Sequence, residues 1–252
     1  MQQKRVALVT GGGAGIGEAI CHRLATDGMA VGVVDARPEA AAAVADAIRA
    51  AGGEAMPLAA NVTDSDQVAA VVAQVVERYG GLHVLVNNAG IVRDSRLVKM
   101  EPEQWDAVID VNLGGAVNCL RHVAPVMVRQ EWGRVVSIAS RALLGNFGQC
   151  NYAATKSGLV GFSRGLAVEL GPHNITVNVV APGLIDTALT RSVDPRVMEK
   201  AAKAAPLRRA GAVQEVANVV WFLASDLASY VTGQTLFVCG GRSLLPALEM
   251  WA

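Results

Sequence analysis

Seven short aliphatic runs punctuate the chain: Val6 to Val9, Ala30 to Val34, Ala55 to Leu58, Leu82 to Val86, Arg134 to Ile138, Ile175 to Val180 and Thr235 to Val238. They are near-continuously apolar. A strand with one face in water must alternate apolar and polar residues, so this text requires burial on both faces, as in a parallel sheet covered by helices. Segments of helical length and period lie between the runs. Glu39 to Ala51 ends at Gly52-Gly53 and Asp64 to Tyr79 at Gly80-Gly81, where glycine can take the left-handed conformation that stops a helix. Strand and helix alternate throughout, so the expected fold is α/β, one doubly wound parallel sheet of about seven strands with helices on both faces.

A prior of ~150 residues per domain would let 252 residues make two domains. No Pro/Gly/Ser linker, repeat or charge block divides the chain, so one domain over residues 1–252 is expected. The stretch from Leu184 to about Ala212 fits neither period, which marks residues 186–209 as an insertion or lid. Apolar residues at 52% against 17% charged exclude disorder. With 22 basic and 22 acidic residues, no global positive field draws a nucleic acid or an acidic membrane. The apolar stretch after Arg5 ends at Thr10, too short for a signal peptide. Leu170 to Ile185 and Leu227 to Gly241 are too short and too interrupted to cross a bilayer. A soluble cytoplasmic protein is expected. Cys21, Cys119, Cys150 and Cys239 are scattered, and His22, His83, His122 and His173 show no ligand spacing, which disfavours both a disulfide framework and a zinc site.

The first run passes directly into Thr10-Gly11-Gly12-Gly13-Ala14-Gly15-Ile16-Gly17 and then a helical stretch from Glu18 to Ala25. Such a strand, glycine turn and helix let backbone approach a pyrophosphate and aim the helix's unpaired N–H groups at it. Strict GxGxxG spacing is absent; Gly11, Gly15 and Gly17 are the glycines that suit the turn. A tight turn that binds nothing is the plain alternative. Asp35 closes the second run 18 residues after Gly17, where a carboxylate accepts hydrogen bonds from the adenosine ribose and repels a 2′-phosphate. Together with the uncharged Ala14 this favours NAD over NADP. Arg37 argues the other way, unless it is a solvated loop arginine.

Tyr152 and Lys156 stand one turn apart in a stretch, Gln149 to Leu170, that reads as a long helix. An ammonium ~5 Å from a phenol, at an effective dielectric of ~20, favours the phenolate by ~3 kcal/mol, or about two pK units. Tyr152 is therefore expected to be acidified by Lys156. Alone, such a pair is common on helices.

It has company. TGGGAGIG at 10–17, Asn-Val at 61–62, NNAG at 87–90, Asn112, Ser140, Tyr-x-x-x-Lys at 152–156 and PGLIDT at 182–187 occur in this order. Together they resemble the short-chain dehydrogenase/reductase family from about Arg5 to Gly241, and Gly145 to Leu170 further resembles its 3-oxoacyl-thioester reductases. The resemblance implies a Rossmann-type, NAD(P)-dependent enzyme acting on CH–OH groups. It implies that Tyr152 exchanges a proton with the substrate oxygen and that Ser140 hydrogen-bonds that oxygen. Lys156 would bind the nicotinamide ribose, and Asn112 would hold a water linking Lys156 to solvent, although a mid-helix Asn beside Gly114-Gly115 can equally satisfy backbone groups at a kink. Gly11, Gly15, Ile16 and Gly17 would lie against the pyrophosphate, Asp35 on the ribose and Val62 on adenine. Asn88, Ala89 and Gly90 would run along the adenosine side, with Ile185 and Thr187 on the carboxamide.

Two departures from the family pattern stand out. Asn61 replaces the usual Asp, so an amide oxygen would read the adenine amino group. Ser140 precedes Tyr152 by twelve residues, one fewer than is commonest, which demands a tighter loop; Ser137, at fifteen, is the fallback.

The substrate is expected to be a small-molecule ketone or secondary alcohol. Lid bases Arg191, Arg196, Lys200, Lys203, Arg208 and Arg209 outnumber Asp186, Asp194 and Glu199, which could welcome a phosphopantetheine or CoA phosphate or simply be solvated. NAD favours alcohol oxidation, with 3-oxoacyl-ACP/CoA reduction as the alternative and a non-catalytic dinucleotide-binding module as a third reading. Leu244, Leu245, Pro246, Leu248, Met250 and Trp251 form a tail too apolar for water on a monomer. The resemblance suggests a homotetramer.

Overall fold

The computed structural model describes residues 4–191 and 194–244. Its first half contains β1 (Val6–Thr10), α1 (Gly15–Thr26), β2 (Ala30–Asp35), α2 (Pro38–Ala50), β3 (Glu54–Ala59) and α3 (Ser65–Tyr79). Next come β4 (Val84–Asn87), α4 (Pro102–Ile109), α5 (Gly115–Gln130), β5 (Gly133–Ile138), α6 (Cys150–Leu170) and β6 (Ile175–Pro182). The last part holds β7 (Ile185–Asp186), α7 (Ala188–Arg191), α8 (Pro195–Lys203), β8 (Gly211–Ala212), α9 (Val213–Ala224) and β9 (Thr235–Val238).

Seven strands form one sheet in the order β3-β2-β1-β4-β5-β6-β9, every neighbouring pair parallel. Each of the seven aliphatic runs contributes one strand. β1, β2, β4, β5 and β6 are buried at every residue, whereas edge strand β3 mixes buried and exposed positions and tolerates Pro57. α1, α2 and α9 cover one face, where Ile20, Leu24, Val44, Ile48, Val216 and Val220 meet Val9, Val33 and Val136. α3, α5 and α6 cover the other, where Val71, Val75, Val123, Met127 and Leu170 meet Leu8, Leu85, Val135 and Val177.

Local signals set the helix ends. Asp64 caps α3 by accepting from the N–H groups of Asp66 and Gln67, and Gly80 ends it at φ 78°. β4 begins at Val84, two residues later than the aliphatic run, because the Gln130 side chain holds both the N–H (3.0 Å) and the C=O (2.9 Å) of Leu82. The segment that fits neither period contains two short helices, α7 and α8. Its neck is closed by the parallel pair of β7 and β8, which sets Ile185 opposite Gly211.

From β1 the chain steps outward to β3, then returns to lay β4 along the other side of β1. At this reversal the neighbouring connections diverge, leaving a crevice beyond the carboxyl ends of β1 and β4.

Candidate active site

The crevice is built by tying the turn after β1 to the turn after β4. The Thr10 hydroxyl accepts from the backbone N–H groups of Asn88 and Ala89, both at 3.1 Å. Asn88 Nδ2 donates to the carbonyls of Thr10 and Gly11, both at 3.0 Å. Gly11 adopts φ +61°, and a Cβ on Gly17 would stand 2.1 Å from the Gly11 carbonyl oxygen. Only glycine lets the start of α1 come so close. Ala14, the N-cap of α1, supplies no side-chain cap, so the helix offers its first N–H groups to an anion.

The crevice measures about 680 Å³, and Gly11, Gly15, Ile16, Gly17, Asp35, Asn61, Val62, Asn88, Ala89, Gly90 and Thr187 line it. Ile185 does not. Its side chain is 4% exposed in the core, and its carbonyl accepts from Thr190 Oγ1 at 2.9 Å. At Asp35, Oδ2 accepts from Gly13 N (3.1 Å), and Oδ1 accepts from Arg37 N (3.0 Å) and Nε (3.3 Å). Arg37 is thus an ion-pair partner of Asp35, with its side chain 60% exposed. Asn61 Oδ1 accepts from Thr63 N at 3.1 Å, which engages that oxygen in a local turn. Val62 packs under Gly115, where a Cβ would come within 2.5 Å of it.

Beyond Gly90 lie the reactive groups. A Cβ on Gly90 would be 3.2 Å from Asn112 Oδ1 and 3.5 Å from Lys156 Nζ. α6 buries Thr155, Lys156, Leu159 and Ser163 against the sheet. Lys156 is 3% exposed, donates to the Ile138 carbonyl at 2.7 Å and lies 5.4 Å from the Tyr152 ring centre. Ser140 faces Tyr152 closely enough to act on its phenol. The short loop is managed by a 3-10 turn, Arg141–Leu144, whose Ala142 N–H donates to the Ser140 hydroxyl at 3.1 Å. Ser137 is sealed within β5 opposite Asn87.

Asn112 sits in a π-helical turn, Asp110–Gly114, between α4 and α5, a distortion common at functional sites. Its amide accepts from Ile91 N (2.7 Å), donates to Ile91 O (3.0 Å) and donates to Thr155 Oγ1 (3.3 Å). The side chain thus grips the crevice loop at Ile91.

One electrostatic expectation fails. Lys156 does not acidify Tyr152: burial raises the phenol above its ordinary value, the Ser140 side chain pulls the other way, and the Asp94 charge adds to the rise. Burial also pulls the ammonium down from 10.5 to about 8. Desolvation is the largest cause at both groups.

Sequence reasoning missed Thr10, Thr155 and the Asp94-Gln149 pair, which act through contacts between distant segments. Three of the six lid bases are in ion pairs: Arg191 with Asp186 (2.7 Å), Lys203 with Glu199 (2.6 Å) and Arg209 with Glu215 of α9 (2.7 Å). Leu244 is 82% exposed; Leu245, Pro246, Leu248, Met250 and Trp251 lie outside the described residues. Among the described residues no cluster of His, Cys, Asp and Glu could hold a metal ion, and no helix is long and apolar enough to cross a membrane.

Fold and crevice have the layout of a dinucleotide-binding α/β domain, with the crevice at the point where the strand order reverses. A family model described as Enoyl-(Acyl carrier protein) reductase matches residues 11–243. The chain is 45% identical over 249 residues to the short-chain reductase protein NovJ of Streptomyces niveus, covering 96% of this chain and 95% of that protein. It is 44% identical over 243 residues to the 3-oxoacyl-acyl-carrier-protein reductase FabG of Staphylococcus aureus strain Mu50, covering 96% and 99%. The crystal structure of levodione reductase superimposes with a TM-score of 0.91 at 37% identity, covering 96% of this chain and 98% of that one. The chain belongs to the short-chain dehydrogenase/reductase family.

Proposed function

We propose that residues 1–252 form one catalytic domain that interconverts a secondary alcohol and a ketone with NAD, using Tyr152 as the acid/base. The observation that carries this reading is buried Lys156, anchored on the Ile138 carbonyl and 5.4 Å from the Tyr152 ring centre, beside the crevice at Gly90. Gly11, Gly15, Ile16 and Gly17 cradle the pyrophosphate, Asp35 accepts from the adenosine ribose, and Asn61, Val62, Asn88, Ala89 and Gly90 flank the adenosine. Thr187 faces the carboxamide end, with Ile185 packed behind it. When bound, the dinucleotide accepts or supplies the hydride. Ser140 holds the substrate oxygen, and Tyr152 takes up or delivers its proton. Lys156 serves the nicotinamide ribose, and Asn112 holds the loop that lines the crevice, with a water beside Lys156 as proton path. Asp35 supports NAD because its charge repels a 2′-phosphate.

The second reading is reduction of a 3-oxoacyl thioester, which the 44% identity to a 3-oxoacyl-acyl-carrier-protein reductase favours. The ion pairs of Arg191, Lys203 and Arg209 leave fewer lid bases for a phosphate-bearing substrate. Purified protein offered NAD, NADP and their reduced forms with a panel of secondary alcohols, ketones and β-keto thioesters separates the two. Turnover confined to NADPH and thioesters overturns the NAD-alcohol reading. Tyr152→Phe is expected to lower turnover by ~10²–10⁴-fold with dinucleotide affinity unchanged by calorimetry; retained turnover would return the chain to the non-catalytic module. We place the protein in a reducing cytoplasm as a homotetramer, with exposed Val98, Val168, Leu227 and Tyr230 covered by partner subunits; a monomer in light scattering would refute the assembly.

A further inference from the structure

Residues 91–95, which leave the crevice loop, are fastened to both sides of the helical turn that carries Tyr152. At one end Asn112 grips Ile91 and donates to Thr155, whose hydroxyl donates to the Tyr152 carbonyl at 2.8 Å. At the other end three contacts meet the start of α6. Asn151 Nδ2 donates to the Arg93 carbonyl at 3.0 Å, and the Ser95 N–H donates to the Gly148 carbonyl at 2.8 Å. Gln149 Nε2 donates to both carboxylate oxygens of Asp94, each at 3.0 Å. Gln149 is the N-cap residue of α6 and accepts from Asn146 at 2.7 Å; Asn151 Oδ1 accepts from the Tyr152 N–H at 2.7 Å.

We propose that Asp94 is a positioning residue for the proton transfer, holding Gln149 and with it the first turn of α6 so that the Tyr152 hydroxyl meets the substrate oxygen. The inference rests on the reading of Tyr152 as the acid/base. Among the described residues, Ser140 from the loop after β5 and Asp94 from the strap act on the phenol, and Lys156 from α6 lies 5.4 Å from its ring centre. The Asp94 charge also adds to the rise of the phenol, so the strap that holds the turn bears on its ionisation as well.

Four variants and two readouts test this. The chain has three tyrosines, so subtracting the tyrosinate absorbance titration of Tyr152→Phe isolates the Tyr152 step without any substrate. Asp94→Asn removes the charge but keeps an acceptor for Gln149. Its Tyr152 step, and the rising limb of alcohol oxidation against pH, are expected at lower pH than in the parent protein, with plateau kcat and KM within about twofold, since one acceptor remains. Gln149→Ala keeps the charge and cuts the tether; its plateau kcat is expected to fall about two- to tenfold, as one lost hydrogen bond allows, without the acid shift. Asp94→Ala should show both effects, and Asp94→Asn should restore kcat relative to it. An unmoved Tyr152 step in both Asp94 variants, or Asp94→Ala losing thermal stability alone, overturns the proposal. If Tyr152→Phe abolishes turnover while those variants behave as the parent, this inference fails by itself. If Tyr152→Phe keeps full turnover, the acid/base reading falls and takes this one with it.

Discussion

Replacing Lys156 by Met should make the protein more stable and inactive at once. The lysine belongs to the stripe that α6 buries, among Asn151, Thr155, Leu159 and Ser163, and burial depresses its ammonium from 10.5 to about 8. At ~1.36 kcal/mol per unit, holding the charge in this interior costs the fold about 3 kcal/mol. Below about 8, folded and unfolded chains both carry the proton, so the penalty is complete; between about 8 and 10.5 the unfolded chain binds more protons, and stability climbs with pH until the penalty is gone. Methionine has a similar length and no charge, but gives up the bond to the Ile138 carbonyl, a loss of about 1 kcal/mol. Lys156→Met is therefore expected to gain about 2 kcal/mol in urea unfolding at pH 7, or roughly 4–8 °C in Tm for a chain of this length. The advantage should shrink above pH ~8 and reverse near pH ~10.5. A variant less stable than the parent at neutral pH would refute the reasoning. So would an advantage that stays flat as pH rises, because the gain would then owe nothing to a desolvated ammonium.

The crevice makes two further predictions. Gly17→Ala drives a methyl to 2.1 Å from the Gly11 carbonyl oxygen, so the turn must open; dinucleotide affinity by calorimetry should fall at least about tenfold, with ~1–3 kcal/mol of stability lost to overpacking. Asp35→Ser removes the carboxylate that repels a 2′-phosphate and frees Arg37 from its ion pair; the ratio of NADP to NAD affinity should rise by about tenfold, roughly 1.4 kcal/mol, and an unchanged ratio would remove Asp35 from cofactor choice.

How far the sequence could be read depends on the range of the physics involved. Strands buried on both faces announce themselves in a few residues, as Val6 to Val9 and Ile175 to Val180 do, and the glycine turn and the Tyr152-Lys156 pair are equally local. Thr10 and Asn88 stand 78 residues apart, and Asp94 and Gln149 stand 55 apart. They meet because β4 lies beside β1 and because the strap returns to α6, neither of which any short window contains. β4 itself starts late for the same reason: Gln130, 48 residues away, takes the backbone of Leu82. Ile185 and Thr187 read as one motif, yet the pairing of β7 with β8 turns the first into the core and leaves the second on the crevice.

The sign of the Tyr152 shift is the sharpest instance. Spacing along a helix yields a distance, and a distance with an assumed dielectric yields attraction. It does not yield the packing of α6 on the sheet, which strips water from ammonium and phenol together. Desolvation penalises each charge separately while attraction rewards only the charged pair. A lysine one turn away can therefore share a site with a tyrosine that holds its proton more tightly than in water. Burial biases both groups toward neutrality, and the Asp94 charge adds to that bias at the phenol.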